Sequence, residues 1–168
     1  DQPVYIMRNA WGRKVFTRDP ALLEGTARHL VREILDLQPV GPYILGGFCE
    51  GAKVAAAAAR QLLALGHRVT LVCLVEHSIT EPLDAQIAHY VGRRNRLSPY
   101  YRFDHPEFGW RKLFPGEPVI TLFPWSHDEF TRETNIHQLA IQLERDLDAA
   151  KRAQDSLPPK PPLQLLQS

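Results

Sequence analysis

Residues 43–62 read YILGGFCEGAKVAAAAARQL, and this stretch decides how the chain is interpreted. A short apolar run leads into the turn sequence GFCEG, residues 47–51, and an alanine-rich run follows at once. Alanine has the highest helix propensity, so residues 50–65 are predicted to form a helix that packs closely on its neighbours, with Gly66 as a left-handed cap. The stretch therefore predicts a strand, a tight glycine turn and a helix.

Strands and helices alternate on both sides of this unit. Upstream, residues 3–8 are predicted to form a short buried strand, and a helix over residues 20–37 begins with Asp19 as N-cap and Pro20 in its first turn. Downstream, residues 69–75 (VTLVCLV) are a continuous apolar run typical of a central parallel strand, and residues 118–123 form another strand. An amphipathic helix over about residues 131–152 follows. The pattern predicts an α/β fold, with a mainly parallel sheet covered by helices on both faces and ligands at the carboxyl ends of the strands.

Two segments do not fit this alternation. Residues 77–117 combine a predicted helix, about 84–95, with the aromatic, proline-broken stretch LSPYYRFDHPEFGW, and they are interpreted as a lid inserted over the working edge of the sheet. The end of the chain, SLPPKPPLQLLQS, holds four prolines and cannot continue a helix. We expect one domain over residues 1–153 and a Pro-rich tail or linker over 154–168.

Composition narrows the class of protein. The chain has 168 residues, 44% of them hydrophobic, and a formal net charge of +1, as expected for one globular domain. No apolar run reaches the roughly 20 residues needed to span a bilayer, so a cytoplasmic protein without membrane contact is predicted. The basic cluster at residues 93–96 lacks interleaved aromatics, which argues against nucleic acid as a partner. Two cysteines do not make a disulfide framework in a chain of this length.

Cys49 lies at the centre of the glycine turn. A strand–turn–helix with glycines around a central nucleophile is the nucleophile elbow, in which the side chain stands exposed above the sheet. The helix that begins at Glu50 would point its N-terminus at the sulfur, favour the thiolate, and offer the Glu50 backbone N–H as an oxyanion donor. The alternative is a buried structural cysteine. For Cys73, inside a core strand, packing is the preferred interpretation.

A thiol nucleophile needs a base, and the base needs an orienting acid. Glu76 ends the strand 69–75, and His127 follows the strand 118–123, so both are predicted at the same sheet edge as Cys49. Taken singly, Glu76 is better explained as a solvated strand-end charge and His127 as a surface histidine. The order nucleophile, acid, histidine, however, is the one that α/β-hydrolases use. His77 is a weaker alternative base, because neighbours on a strand point to opposite faces. The remaining histidines match no zinc-ligand spacing, so no metal site is predicted.

The sequence resembles the thioesterase domains of nonribosomal peptide and polyketide synthases, which are α/β-hydrolases. The stretch GPYILGGFCEGAKVAAAAARQLLALGHRVTLVCLVEH is similar to the elbow-to-acid unit of that family, with Cys49 in place of the usual serine and Glu76 in place of the usual aspartate. The stretch PWSHDEFTRETNIHQLA is similar to its histidine motif, in which the catalytic His127 is followed by an Arg-Glu pair, Arg132 and Glu133. The opening QPVYIM fits the strand before the elbow strand.

The resemblance implies a thioesterase or acyltransferase with a Cys49–His127–Glu76 triad, acting on a small-molecule acyl or peptidyl thioester carried on the phosphopantetheine of a carrier protein, with no bound cofactor. Water, an amine or an internal hydroxyl would accept the acyl group. Arg93, Arg94 and Arg96 are interpreted as a solvated lid face, or as a contact for an acidic carrier or a phosphate.

The family also has a strand, a Gly-rich loop and a helix before QPVYIM, and that loop supplies a second oxyanion N–H. This sequence lacks them, so we expect either part of a longer domain or a half-built oxyanion hole. Two other functions stay open: a catalytically silent hydrolase-like module that binds carrier proteins, and a cysteine-type lactone hydrolase.

Overall fold

The structure is a computed structural model that describes residues 4–7, 19–77, 81–95 and 118–156. Its elements, in chain order, are α1 (Pro20–Leu37), β1 (Tyr43–Phe48), α2 (Glu50–Ala64), β2 (Val69–Val75), β3 (Gln86–Gly92), β4 (Val119–Phe123) and α3 (Glu133–Asp155). A short 3-10 helix (His127–Glu129) precedes α3. The four strands pair in the order β1-β2-β3-β4, and every pair is parallel. The predicted α/β fold is confirmed.

Helix α1 begins where its sequence predicts. Asp19 has an extended backbone, and its side chain accepts a hydrogen bond from the Ala21 N–H (2.9 Å), which satisfies one of the N–H groups left free at a helix start. Pro20 occupies the first turn, where its missing N–H costs nothing. Ala27 and Val31 bury the inner face of α1.

Helix α2 lies at the centre of one layer, because it contacts α1 on one side and β1 and β2 on the other. Its short side chains allow this close approach from both directions, and they form most of the core on this face of the sheet. The buried residues of α2 are Ala52, Val54, Ala55, Ala56, Ala57, Ala58, Ala59 and Leu62. The helix ends at Ala64, and Gly66 follows with φ 83°, the left-handed conformation expected of a cap.

Helix α3 covers the opposite face of the sheet through Leu139, Leu143 and Leu147. The side chain of Tyr90, on β3, is fully buried there, and its hydroxyl donates to Asp146 Oδ2 on α3 (2.8 Å). Helices thus cover both faces, as predicted. The helix runs to Asp155, beyond the predicted domain end at residue 153, and residues 157–168 of the predicted tail lie outside the described part of the chain.

The helix predicted over residues 84–95 is wrong, because residues 86–92 form β3, an inner strand between β2 and β4. Leu83, Ile87 and Val91 recur every four residues, a spacing that places side chains on one face of a helix and also on one face of a strand. β3 is buried on both faces, so it shows none of the alternation that would have marked a strand. The predicted lid over 77–117 therefore includes part of the core, and it stays a prediction for residues 96–117, outside the described residues.

The strand predicted over residues 3–8 is also wrong for the four residues described, 4–7, which form no strand. Val4 and Ile6 are 83% and 86% exposed, so the apolar run lacks the burial that would hold it in a sheet. Tyr5 and Met7 line an apolar cavity of about 550 Å³ beside β1. Among the helices described, none combines the length and the apolar character needed to cross a membrane.

Candidate active site

The elbow, residues 47–51, has the strained geometry that its sequence predicts. Cys49 follows β1 and precedes α2 with φ 55° and ψ −123°, a conformation that side-chain-bearing residues rarely adopt. Its N–H donates to the Val75 carbonyl (2.8 Å), and its own carbonyl accepts from the Ala52 N–H (3.0 Å). A Cβ on Gly47 would lie 2.2 Å from the Gly51 carbonyl oxygen, so this turn requires glycine there.

The two flanking glycines are not equivalent. A Cβ on Gly51 would meet nothing within 4 Å, whereas the backbone of Gly51 is what a Cβ on Gly47 would strike. Gly47 therefore permits β1 and α2 to approach each other. Cys49 at the resulting turn is half-buried.

Glu76 follows β2 and is the second residue other than glycine with a positive φ, 58°, among the residues described. Its side chain is fully buried, and hydrogen bonds satisfy both carboxylate oxygens. The Gly92 N–H donates to Oε1, and Asn95 Nδ2 donates to Oε2 (2.5 Å). A buried carboxylate needs such donors, because water no longer stabilises its charge.

His127 meets this carboxylate from the turn after β4. Its Nδ1 lies 3.1 Å from Glu76 Oε2, and its side chain is 34% exposed. Because the ionised carboxylate is an acceptor, the imidazole proton belongs on Nδ1, and Nε2 is left as the basic nitrogen. A pair with this geometry can serve as an oriented general base.

A capping network fixes the turn that carries His127. Glu129 Oε2 accepts from the backbone N–H (2.7 Å) and the hydroxyl (2.9 Å) of Ser126. These donors, the backbone N–H first, lower the pKa of Glu129 to about 2. Arg94, from the turn after β3, pairs with the same carboxylate and donates from Nε to the Pro124 carbonyl (2.8 Å). The turns after β3 and β4 are therefore tied together.

Phe48 connects the elbow to His127. The two rings are stacked with centroids 4.9 Å apart and an interplanar angle of 27°. Since Cys49 follows Phe48, and since the residue opposite Phe48 in β2 is Val75, just before Glu76, all three predicted triad residues lie at the carboxyl edge of the sheet. Among the described residues Cys49 forms no disulfide. The structure therefore joins Glu76 to His127 by a hydrogen bond and brings Cys49 to the same edge of the sheet.

The remaining predicted residues lie around this group. Glu50 is the first residue of α2, and its carboxylate pairs with Lys53 Nζ (2.8 Å). Glu76 bonds His127 and not the alternative base His77, whose pKa is lowered by burial. Cys73 is buried in β2, and burial raises the pKa of its thiol to about 12, in agreement with the predicted packing role.

Three residues of the site were missed from the sequence. Gly92 and Asn95 bind Glu76, but both lie in or directly after β3, which the sequence suggested was helical. The signal that would have found them is a Gly and an Asn at the carboxyl end of a strand. Phe48 was predicted only as part of the elbow. An aromatic residue next to the proposed nucleophile is also a candidate to stack on the histidine ring.

Comparison with known proteins places this geometry in a family. The family model described as "Thioesterase domain" matches residues 11–94, half of the chain, including Cys49 and Glu76. The non-reducing polyketide synthase terA of Aspergillus terreus is 27% identical over 132 residues, 69% of this chain and 6% of that synthase. The chondramide synthase cmdD of Chondromyces crocatus is 40% identical over 77 residues, 45% of this chain and 2% of that synthase. The chain spans only a small part of these two relatives.

Solved structures agree on the fold. The NocB thioesterase domain, in covalent complex with a fluorophosphonate nocardicin G analogue, matches with a TM-score of 0.62 and 18% identity over 77% of each chain. The SrfTE thioesterase domain matches with a TM-score of 0.57 and 18% identity over 72% of this chain and 74% of that one. Together, the family match, the parallel sheet with helices on both faces and the predicted resemblance lead to one conclusion: the chain belongs to the thioesterase domain family and has an α/β-hydrolase-like fold.

Proposed function

We propose that the chain is a cysteine-dependent thioesterase domain that takes an acyl or peptidyl group from the phosphopantetheine of a carrier protein and passes it to water, an amine or an internal hydroxyl. Cys49 is the nucleophile, His127 the base and Glu76 the orienting acid. The observation that carries the proposal is the hydrogen bond between His127 Nδ1 and a fully buried Glu76, at the sheet edge where Cys49 has a positive φ.

In the first half-reaction, His127 Nε2 takes the thiol proton and the Cys49 sulfur attacks the carbonyl carbon of the substrate thioester. The Glu50 backbone N–H, one of the N–H groups without a helical partner at the start of α2, donates a hydrogen bond to the oxyanion that forms. Collapse breaks the carbon–sulfur bond to phosphopantetheine, and the leaving thiolate takes the proton from the imidazolium. An acyl group is now held on Cys49 in a new thioester.

In the second half-reaction, His127 removes a proton from the acceptor as the acceptor attacks the Cys49 thioester. Collapse returns the Cys49 thiolate, which regains its proton from the imidazolium. Glu76 stays ionised throughout and stabilises the charged imidazole that forms in each step. Phe48, stacked on the imidazole, limits its rotation between the two steps.

Intact mass measurement after incubation with an acyl N-acetylcysteamine thioester tests the proposal. We expect the protein to gain the mass of one acyl group, which hydroxylamine removes. Cys49→Ala abolishes the gain, and Cys73→Ala, the matched control at the buried thiol, retains it. Wild-type protein that gains no mass with short, long or aminoacyl chains contradicts the proposal and favours a catalytically silent module that binds carrier proteins.

Alkylation with iodoacetamide near neutral pH gives a second, substrate-free measurement. We expect Cys49 to react much faster than Cys73, because Cys49 is half-buried at a helix N-terminus while burial disfavours the Cys73 thiolate. Equal slow rates for the two thiols contradict an activated nucleophile. If the protein opens simple lactones faster than it is acylated by any thioester, the lactone hydrolase is the better assignment.

A further inference from the structure

Asn95 makes a contact that the proposed triad does not explain. It lies in the turn after β3, where its side chain is buried, and its Nδ2 donates to Glu76 Oε2, the oxygen that also faces His127 Nδ1. We propose that Asn95 is a positioning residue that fixes the Glu76 carboxylate and thereby the proton on His127 Nδ1, an inference that rests on the proposed function of the triad.

The first argument is the number of donors on the carboxylate. The Gly92 N–H holds Oε1, while Asn95 and His127 share Oε2, so the plane of the carboxylate is fixed from both ends. A glutamate has one more rotatable bond than the aspartate usual in the resembling family, and hydrogen bonds must restrict that additional freedom. Without Asn95, only the donor on Oε1 and His127 itself orient the group.

The second argument is that Asn95 and His127 approach Glu76 from turns fixed to each other. The Arg94 N–H donates to the Trp125 carbonyl (3.0 Å), and the Arg94 side chain binds Glu129, which caps the turn of His127. The Asn95 N–H donates to the Gly92 carbonyl (3.1 Å), which shapes the turn after β3. Both donors to Oε2 thus lie in turns that are hydrogen-bonded to each other.

The third argument concerns the state of the imidazole. His127 is a useful base only when Nδ1 carries the proton and Nε2 is bare, and the acceptor opposite Nδ1 sets that state. If the carboxylate turns away, the proton is free to move to Nε2, which then no longer accepts a proton from Cys49. Asn95 therefore acts on the nucleophile through two other residues, without touching the substrate.

The experiment uses the full chain, labelled with ¹⁵N-histidine, in wild type and in Asn95→Leu and Asn95→Asp. The ¹⁵N shifts of His127 report the position of the proton, and circular dichroism confirms that each variant folds. We expect wild type to hold the proton on Nδ1 at pH 8 and Asn95→Leu to lose a large part of that population. Its acylation rate should fall at least about tenfold, since the base is misplaced.

Asn95→Asp adds a pH signature that a purely structural role does not produce. At pH 8 the introduced carboxylate opposes Glu76 and should disturb the His127 proton further than Asn95→Leu does. Two adjacent carboxyl groups share a proton as the pH falls, and the protonated group again donates to Glu76. We therefore expect the ratio of its acylation rate to that of wild type to rise between pH 8 and pH 6.

Asn135→Asp is the matched control, because the Asn135 side chain donates to the Glu129 carbonyl (2.8 Å) and makes no contact with Glu76. It should change stability and leave the His127 proton on Nδ1. Folded Asn95 variants with the wild-type ¹⁵N pattern, or an Asn95→Asp rate ratio independent of pH, overturn the inference. The ¹⁵N measurement needs no turnover, so a failure of the proposed function, wild type without acylation, is recognised separately.

Discussion

Replacing Gly47 with alanine tests how the elbow positions Cys49. The new Cβ would lie 2.2 Å from the Gly51 carbonyl oxygen and 2.6 Å from the Ala52 nitrogen, whereas ordinary contact begins near 3.4 Å. Helix α2 must therefore move away from β1 by about 1 Å. This movement disturbs the packing of its own buried inner residues. Overpacking of this kind costs about 1–3 kcal/mol, and more when backbone must move, so we expect the free energy of unfolding to fall by about 3 kcal/mol.

Gly51→Ala is the matched control within the same turn. Nothing lies within 4 Å of its new Cβ, and alanine is favoured over glycine in a helix by about 0.5–1 kcal/mol, so this variant should be slightly stabilised. Urea unfolding followed by circular dichroism measures both free energies. Two variants within 1 kcal/mol of each other, on the order of the propensity term alone, would refute the reasoning that Gly47 sets the distance between α2 and the sheet.

Three further predictions concern His89, Glu129 and Gly92. Burial lowers the pKa of His89 to about 3. In the unfolded chain this imidazole titrates near 6.5, so the unfolded state binds the proton more readily. The free energy of unfolding therefore has its full value above about pH 6.5 and falls toward pH 3 by at most about 1.4 kcal/mol per pH unit. His89→Gln should flatten the melting temperature against pH in this window, while Gln at the exposed His137 should leave the slope as it is. The pKa of Glu129 is lowered from 4.5 to about 2, so its ionised form stabilises the fold above about pH 4.5, and this stabilisation is lost as the pH falls toward 2. Glu129→Gln should remove this acid dependence of the melting temperature. A melting temperature that depends on acid pH as in wild type would contradict the prediction. Gly92→Ala should slow acylation, because its Cβ would clash with backbone at 2.4 Å and move the N–H that binds Glu76; a wild-type rate would show that this N–H is not needed.

The strands and helices predicted correctly are those with one consistent local signal. For α1 this is the Asp19–Pro20 start, for α2 the run of alanines, and for β2 an apolar run too short and too β-branched for a helix. β3 was missed because a spacing of four residues serves both periods, and burial on both faces removed the alternation. Only its pairing partners, which a single sequence does not display, decide between helix and strand.

The candidate site divides along the same line. The position of Cys49, Glu76 and His127 at one sheet edge was predictable because each directly follows or lies near the end of a predicted strand, and parallel strands bring their carboxyl ends together. Asn95 was not found, because its role depends on the end of β3 and on the direction of the Glu76 side chain. The order of strands along the chain was enough to predict which residues lie at the edge. The donors that orient the Glu76 carboxylate could not be predicted, because they depend on the register of the sheet.

The backbone angles of Cys49 and Glu76 have a consequence for engineering this domain. Each left-handed residue of this kind raises the energy of the folded state by on the order of 1–3 kcal/mol, and glycine would relieve that strain at Cys49 without filling any space. Selection for heat tolerance alone would thus favour variants that lack the Cys49 sulfur. A library designed to stabilise the domain should be screened for Cys49 thiol labelling in the same round, so that the selected variants keep the proposed nucleophile.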